Sequence, residues 1–420
     1  MTRAFSHPVA TIAKGTVTAM RHPRPQPIRG PLGASFDPFD PVTISDPPAA
    51  YRRLHANPGV HRIGRGAYAL AGHGDVRAAA RAHDVLVSGK GVTAVPTSLP
   101  MLLTIDRPRH DVLRRQLVPH FTTARSAAME LGMREVIGPA IDRMLARPGA
   151  DAVAELAVPL PMTVIARLLG APDGDLDRLH RWSDGVVLGF HADGSFARTV
   201  RGAGAVRHIL ALHRYLLGVF ATLRREPGDD VISALLTSPE AGELGDDDLF
   251  WVAMMLIVAG NETTTNLIGS LLLALARDPA AYRRLRAEPE LIRPAVEEAT
   301  RWGSPIQGLF RTAAADYVVG QSTIPAGARV LLLFGAANRD PSVYTDPDRF
   351  VVDRKPTDHL GFGAGIHFCL GAHLARLEAR LVLEELLARV ASIELAGPVV
   401  WRDNPSVHGP SRLPLRLEVS

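Results

Sequence analysis

Cysteine is almost missing from this chain. Cys369 is the single one in 420 residues, so no disulfide forms within it and no iron–sulfur cluster can be held by it. That economy fits a reducing compartment. Dense runs of one charge are missing too. The 47 Lys and Arg stand against 43 Asp and Glu, a formal charge of +4, and they form no basic stripe of the kind a nucleic-acid partner demands. Long apolar runs are absent as well. The longest, Leu249 to Ala259, stops at Gly260-Asn261-Glu262-Thr263-Thr264-Thr265-Asn266, well short of the roughly 20 residues a membrane span needs. Acidic residues are lacking from positions 1–36, which hold five Arg or Lys together with Pro23, Pro25, Pro27 and Pro31. This segment matches neither a secretory signal nor a transit peptide, and it is expected to be a flexible, basic, Pro-rich arm. A weak membrane-surface contact through Phe5, Val9, Ile12 and Val17 is the sharper alternative for it.

What is present can build a sizeable core: 46% of residues are hydrophobic and 21% charged. Apolar periodicity predicts helices at 75–82, 124–145, 161–169, 205–225, 247–276, 289–302 and 370–390. Strand patterns cluster at Gly59 to Ala71 and Arg311 to Phe334. The expectation is a mainly α fold over residues 37–420, one large helical domain with a small β-rich lobe. Residues 85–103 form a long irregular stretch, and such loops in compact domains are often functional. The helix at 247–276 is apolar all round at both ends, so its polar middle is buried too. Burying Asn261, Glu262 and three threonines is unfavourable unless they find partners.

The lone cysteine lies in FGAGIHFCLG, residues 362–371, fenced by Gly363, Gly365, Gly371 and His367. The glycines permit positive φ and close approach of the backbone to another group. Helical periodicity resumes just after Cys369, so the sulfur meets backbone N–H groups and the positive end of a dipole, which favour a thiolate. Such a site suits a metal held in a planar macrocycle. A buried inert cysteine, a zinc site with His367 and His373, and a catalytic nucleophile are the other readings of the same residues.

Phe362, Gly363, Gly365, His367, Cys369 and Gly371 together resemble the haem-binding loop of the cytochrome P450 family, Phe-Gly-x-Gly-x-His/Arg-x-Cys-x-Gly. Further stretches agree in order along residues 40–420. EEATR resembles the family's Glu-x-x-Arg, with Glu298 and Arg301. DPDRF resembles Pro-x-Arg-Phe, with Pro347, Arg349 and Phe350. AGNETT resembles Ala-Gly-x-Asp/Glu-Thr-Thr/Ser, with Ala259, Gly260, Glu262 and Thr263. The stretch Asp106-Arg107-Pro108-Arg109-His110 keeps only part of the family's Asp-Pro-Pro-Glu-His.

The resemblance implies haem b (iron protoporphyrin IX) between the long central helix and the cysteine-loop helix. Cys369 would be the axial thiolate of the iron, with Phe362 packed near the sulfur. His110, Arg114, Arg311, His359 and His367 would face the propionates. Glu298, Arg301 and Arg349 would form a structural ion network. Thr263 and Glu262 would hold and protonate reduced oxygen in a kink opened at Gly260.

The activity implied is a bacterial-type, cytoplasmic, monomeric monooxygenase. It would place one oxygen atom of O2 into a lipophilic small molecule, with NAD(P)H electrons arriving through a ferredoxin reductase and a ferredoxin. A pocket of Val92, Val95, Leu99, Val187, Phe190, Ile257, Pro305, Ile306, Leu309 and Val407 is expected. Arg107, Arg109 and Arg115 are expected to offer the ferredoxin a basic face. A P450-fold enzyme of other chemistry, or a haem-binding sensor, is the alternative.

Overall fold

A computed structural model describes residues 27–64, 66–188, 204–238 and 245–419. Eight helices place the site: α1 (Arg109–Leu117), α2 (Glu130–Ala146), α3 (Pro159–Leu168), α4 (Leu176–Val187), α5 (Ala205–Arg225), α6 (Asp246–Arg277), α7 (Ile292–Gly303) and α8 (Ala372–Arg389). Helix α6 is the axis of the molecule. Its 32 residues span about 48 Å at 1.5 Å per residue. Asp246, Asp247 and Asp248 sit in its first turn, where the dipole favours negative charge, and the Asp248 carboxylate accepts from the Gly245 N–H at 3.2 Å. Beyond that start, Leu249 to Ile257 and Thr264 to Ala276 are buried on every face.

Two cores meet along this helix. The first half of α6 packs with α3, α4 and α5, through residues such as Ile165, Leu179, Leu212 and Phe220. The second half packs with α2, α7 and α8, through Ile137, Val296, Leu381 and Leu383. Burying each such side chain stabilises the fold by about 1.5–3 kcal/mol. Between the two halves, Ala259, Gly260 and Thr263 are not covered by protein, and there the site opens.

Strands β1 (Val60–Gly64), β2 (Ala67–Leu70), β3 (Leu86–Val87), β4 (Leu309–Ala313) and β5 (Arg329–Leu332) form one sheet in the order β1–β2–β5–β4–β3. The two predicted strand clusters therefore join in one lobe, through a parallel β2–β5 pairing that sets Tyr68 beside Val330. A further sheet, unanticipated, pairs Val390–Leu395 with Pro414–Val419 and closes the end of α8.

Residues 29–36, read above as the end of the loose arm, are docked on this lobe. Arg29 and Thr323 exchange backbone hydrogen bonds at 3.2 and 2.7 Å, Gly33 N–H donates to Val60 at 2.8 Å, and Phe36 is buried. Each bond satisfies an otherwise open edge. The rest of the arm, with Phe5, Val9, Ile12 and Val17, lies outside the described residues.

The ion network under the cysteine loop differs from the expected one. Glu298 and Arg301 are both fully buried and bidentate, at 2.7 and 2.8 Å. Arg349 does not join them. Its side chain is 73% exposed and lies 3.7 Å from Asp346, and only its backbone carbonyl accepts from Arg301, at 3.0 Å. The second arginine is Arg354, whose Nε donates to Glu298 Oε1 at 3.0 Å. The chain turns between them, at Val351, whose N–H also reaches Glu298, and so brings the later residue inward.

Candidate active site

Cys369 is half-buried at the foot of α8, and its N–H donates to the Phe362 carbonyl at 2.9 Å, closing the loop on itself. Gly363 and Gly365 have φ of 71° and 72°. At Gly365 glycine is doubly required, because a Cβ would stand 2.6 Å from the Ala80 carbonyl oxygen. Arg376 lies over the Phe362 ring at 4.3 Å, and Arg114 donates to the Phe368 carbonyl at 2.8 Å. The expectation of a pre-lowered thiol is corrected: burial pushes the Cys369 thiol up, against the pull of the Gly371 N–H, Arg376 and Arg114. The helix start alone does not make the thiolate.

A cavity of about 900 Å³ lies between this loop and α6. Cys369, Phe362, Gly363, His367, Gly371, Arg114, Arg311, Ala259, Gly260, Glu262 and Thr263 line it. So do Val92, Val95, Leu99, Val187, Pro305, Ile306, Leu309 and Val407. Phe190 lies outside the described residues. Ile257 is a correction: it is fully buried in the core beside α5. It stands two residues before Ala259, roughly 200° around the helix, so both cannot face one wall.

His359 is a second correction. It does not line the cavity. Its Nδ1 accepts from Gly361 N–H at 3.1 Å, and its Nε2 faces Glu297 at 2.9 Å. Burial opposes the Glu297 charge, yet hydrogen bonds from His359 and Arg376 hold that carboxyl down at about 2. His110 lies edge-on to His367, ring centres 4.7 Å apart, with its Nε2 buried and without a partner.

These residues fit a flat anionic cofactor bound through sulfur. The orphaned Nε2 of His110 lacks an acceptor. Arg311, 4% exposed, donates to the Phe310 carbonyl at 2.9 Å and has no carboxylate in ion-pair range among the described residues. A Cβ at Gly371 would meet nothing within 4 Å. The zinc reading fails on geometry, since among the described residues no three metal-ligating side chains come together.

On the opposite wall, the Thr263 hydroxyl donates to the Ala259 carbonyl at 2.6 Å. The helix runs uninterrupted through Gly260, and the Thr263 hydroxyl takes the carbonyl four residues back, a bond that favours bending. Gly260 is tightly packed: a Cβ there would lie 2.4 Å from Ile165 Cδ1. Glu262 is 2% exposed, and burial drives its carboxyl toward the neutral form, opposed by Arg402 and reinforced by Asp184. Sequence reasoning missed Arg402 and Asp184, which carry no motif. It also missed Glu378, 2% exposed on the cavity wall, where burial alone pushes the carboxyl up to about 8. Glu378 stands nine residues beyond Cys369 on α8, and its place in an otherwise apolar helix face was the available signal.

The cytochrome P450 family profile matches residues 214–391. The chain is 40% identical over 395 residues to the beta-dihydromenaquinone-9 omega-hydroxylase of Mycobacterium bovis, covering 90% of this chain and 77% of that one. It is 34% identical over 372 residues to the steroid C26-monooxygenase of Mycolicibacterium smegmatis, covering 87% and 91%. Its structure is similar to that of cytochrome P450 CYP109Q5 from Chondromyces apiculatus, with a TM-score of 0.82, 34% identity, and 92% and 99% of the two chains covered. It is also similar to CYP109E1 of Bacillus megaterium in complex with testosterone, with a TM-score of 0.82, 31% identity, and 88% and 97% covered.

A glycine-fenced cysteine loop facing the long central helix across an apolar cavity is the site of a haem-thiolate oxidoreductase. The chain belongs to the cytochrome P450 family. It is a P450 monooxygenase, and its cofactor is haem bound through cysteine. No helix among the described residues is long and apolar enough to cross a membrane.

Proposed function

We propose that this monooxygenase hydroxylates a neutral lipid of the isoprenoid or steroid class, with NAD(P)H electrons delivered by a ferredoxin reductase and a ferredoxin. The observation that carries the substrate class is the state of the polar groups on the cavity wall. Thr93, Thr97, Thr104, Thr263 and Thr300 each donate their hydroxyl to a backbone carbonyl. The cationic side chains on the wall, Arg114 and Arg311, belong to the cysteine side. A carboxylate head on the far side would therefore meet no counter-charge, while aliphatic surface gains about 25 cal/mol per Å² buried. A dihydromenaquinone and a steroid, named for two relatives, are of this kind.

Haem would be held by Cys369, with His110, His367, Arg114 and Arg311 available to its acidic groups, and would supply the redox chemistry that activates O2. The protein's part is positioning, exclusion of water and control of protons. The apolar wall keeps water from competing with the substrate. Thr263 turns its lone pairs to the cavity while its proton is held by Ala259. Releasing that bond frees the O–H to donate inward. Neutral Glu262 holds the proton to be delivered, and Arg402 stabilises the carboxylate left behind.

The test is a ligand library read by the haem spin-state shift, followed by product analysis with NAD(P)H, a surrogate ferredoxin and its reductase. Neutral isoprenoids or steroids should shift the spectrum and gain one oxygen atom. A library in which only charged, water-soluble compounds do so overturns the substrate class.

A further inference from the structure

The buried acid of α6 touches the surface through residues that no motif contains. Arg402 comes from the loop after the strand Val400–Trp401. Its Nη1 lies 3.2 Å from Glu262 Oε2 and 3.7 Å from Asp184 Oδ1. Asp184, on the last turns of α4, is 44% exposed at its side chain, against 19% for Arg402 and 2% for Glu262. Exposure thus falls in steps from solvent to the cavity. His180, one turn earlier on α4, lies 3.5 Å from Asp184 Oδ2 and 3.5 Å from the Asn261 amide. His208 of α5 also faces this corner, packed against Gly185.

The cluster's charges do not balance when fully ionised. Two carboxyls, one buried and one half-exposed, share the one guanidinium between them, and like charges so placed repel. A single proton held by the pair removes that imbalance. Neither Glu262 oxygen makes a well-aligned hydrogen bond, so the ion contact with Arg402 is close but off-axis. A proton on this pair is therefore not locked at either end.

We propose that Asp184, Arg402 and Glu262 form the proton inlet of this enzyme, Asp184 collecting protons from water and passing them to Glu262 while Arg402 bridges the two carboxyls. In each passage the O–H bond of neutral Glu262 breaks first, as its proton is given to reduced oxygen in the cavity. The carboxylate left behind then takes a proton from Asp184, whose O–H bond breaks as one forms on Glu262, and Asp184 is recharged as an O–H bond of solvent hydronium breaks. One proton moves per passage and no electron does. Arg402 and Asp184 are positioning and relay residues. The inference rests on the reading of Glu262 as the proton donor.

The experiment compares Asp184→Asn, Arg402→Gln and Arg402→Lys with Glu262→Gln in the holoenzyme. Turnover and its solvent deuterium isotope effect are measured with surrogate ferredoxin and reductase. Independently of activity, the infrared carbonyl band of protonated Glu262 is titrated, assigned by its loss in Glu262→Gln. Asp184→Asn is half-exposed and conservative, so it keeps the fold. It should slow turnover by about tenfold or more, raise the isotope effect, and leave the substrate spin shift unchanged. Arg402→Gln should extend the Glu262 carbonyl band to higher pH, and lysine at 402 should restore it. If Asp184→Asn and Arg402→Gln keep wild-type rate, isotope effect and band while Glu262→Gln is slow, the inlet is wrong and the donor role of Glu262 stands. If Glu262→Gln is itself as fast as wild type, that role fails and the inlet fails with it.

Discussion

Arg354 donates its Nε to Glu298 at 3.0 Å, while Arg349, five residues earlier in the sequence, leaves its side chain in solvent. The distinction has a sharp thermodynamic signature. Arg354→Ala strips one cation from a fully buried carboxylate, and breaking one partner of a buried network destabilises by about 3–5 kcal/mol. Arg349→Ala removes an exposed side chain and keeps the carbonyl that Arg301 uses, so its effect should stay within about 0.5 kcal/mol. Denaturant unfolding of the two variants checks this. Equal losses would return the network to Arg349.

Cys369→Ser should abolish the strongly red-shifted Soret band of the reduced, CO-bound enzyme, which thiolate ligation produces. The loop closes through the backbone of residues 362 and 369, so its shape should survive the substitution. An unshifted band in the unmodified enzyme would remove Cys369 from the iron.

Thr263→Ala deletes a hydroxyl that now bonds only within its own helix, to Ala259. Cofactor and substrate binding should hardly change, because the lost group acts on the oxygen side. Product formed per NAD(P)H consumed should fall severalfold, and hydrogen peroxide should rise to match. Wild-type coupling with a substrate that lacks hydroxyls would refute the role.

Glu378 links stability to pH. Burial raises its carboxyl from 4.5 to about 8. Between those values the folded chain keeps a proton that the unfolded chain has lost. Stability should therefore be greatest below the lower value and fall as pH rises, by about 1.4 kcal/mol per unit from this group. Glu378→Gln should remove that part of the slope. Unfolding measured at several pH values across the window tests it, and an unchanged slope would show Glu378 to be ionised.

The basic face proposed for a ferredoxin narrows to one residue. Arg107 pairs with Asp111 at 2.9 Å and Arg109 with Asp248 at 2.8 Å, so their charge is largely neutralised. Arg115 is exposed. Surface charge acts mainly on association rate and is screened over about 8 Å at physiological salt. Electron transfer from an acidic ferredoxin should slow with added salt, and Arg115→Glu should slow it severalfold further. Rates indifferent to both would move the docking site elsewhere.

Much of this site could be read before any coordinates, where function is written as a local string. The loop at 362–371 and the patch at 259–264 are of that kind, because each is a run of neighbours on one turn or one helix face. The β lobe was legible in its strands but not in its pairing, since Tyr68 and Val330 are joined only by folding. Ile257 was misplaced by helical phase, which a pocket list drawn from a run of residues ignores. His359 was misplaced because its partner, Glu297, lies on helix α7, 62 residues earlier in the chain. Arg402 and Asp184 were invisible for the same reason: the ion contact between them crosses more than half the chain.

The glycine at 365 has a last consequence. Because its backbone sits against Ala80 with no room for a side chain, the sulfur's position is registered to the helix His73–Arg81, which packs on the β lobe. The aliphatic wall of the cavity comes mainly from other segments, among them Val92, Leu99, Val187, Ile209, Met255 and Ile306. The molecule is thus divided into a fixed anvil and an interchangeable roof. Mutations that reshape the roof can change which lipid is taken without disturbing how electrons reach the metal. A lineage built on this plan can diversify its substrates while inheriting one unchanged power supply.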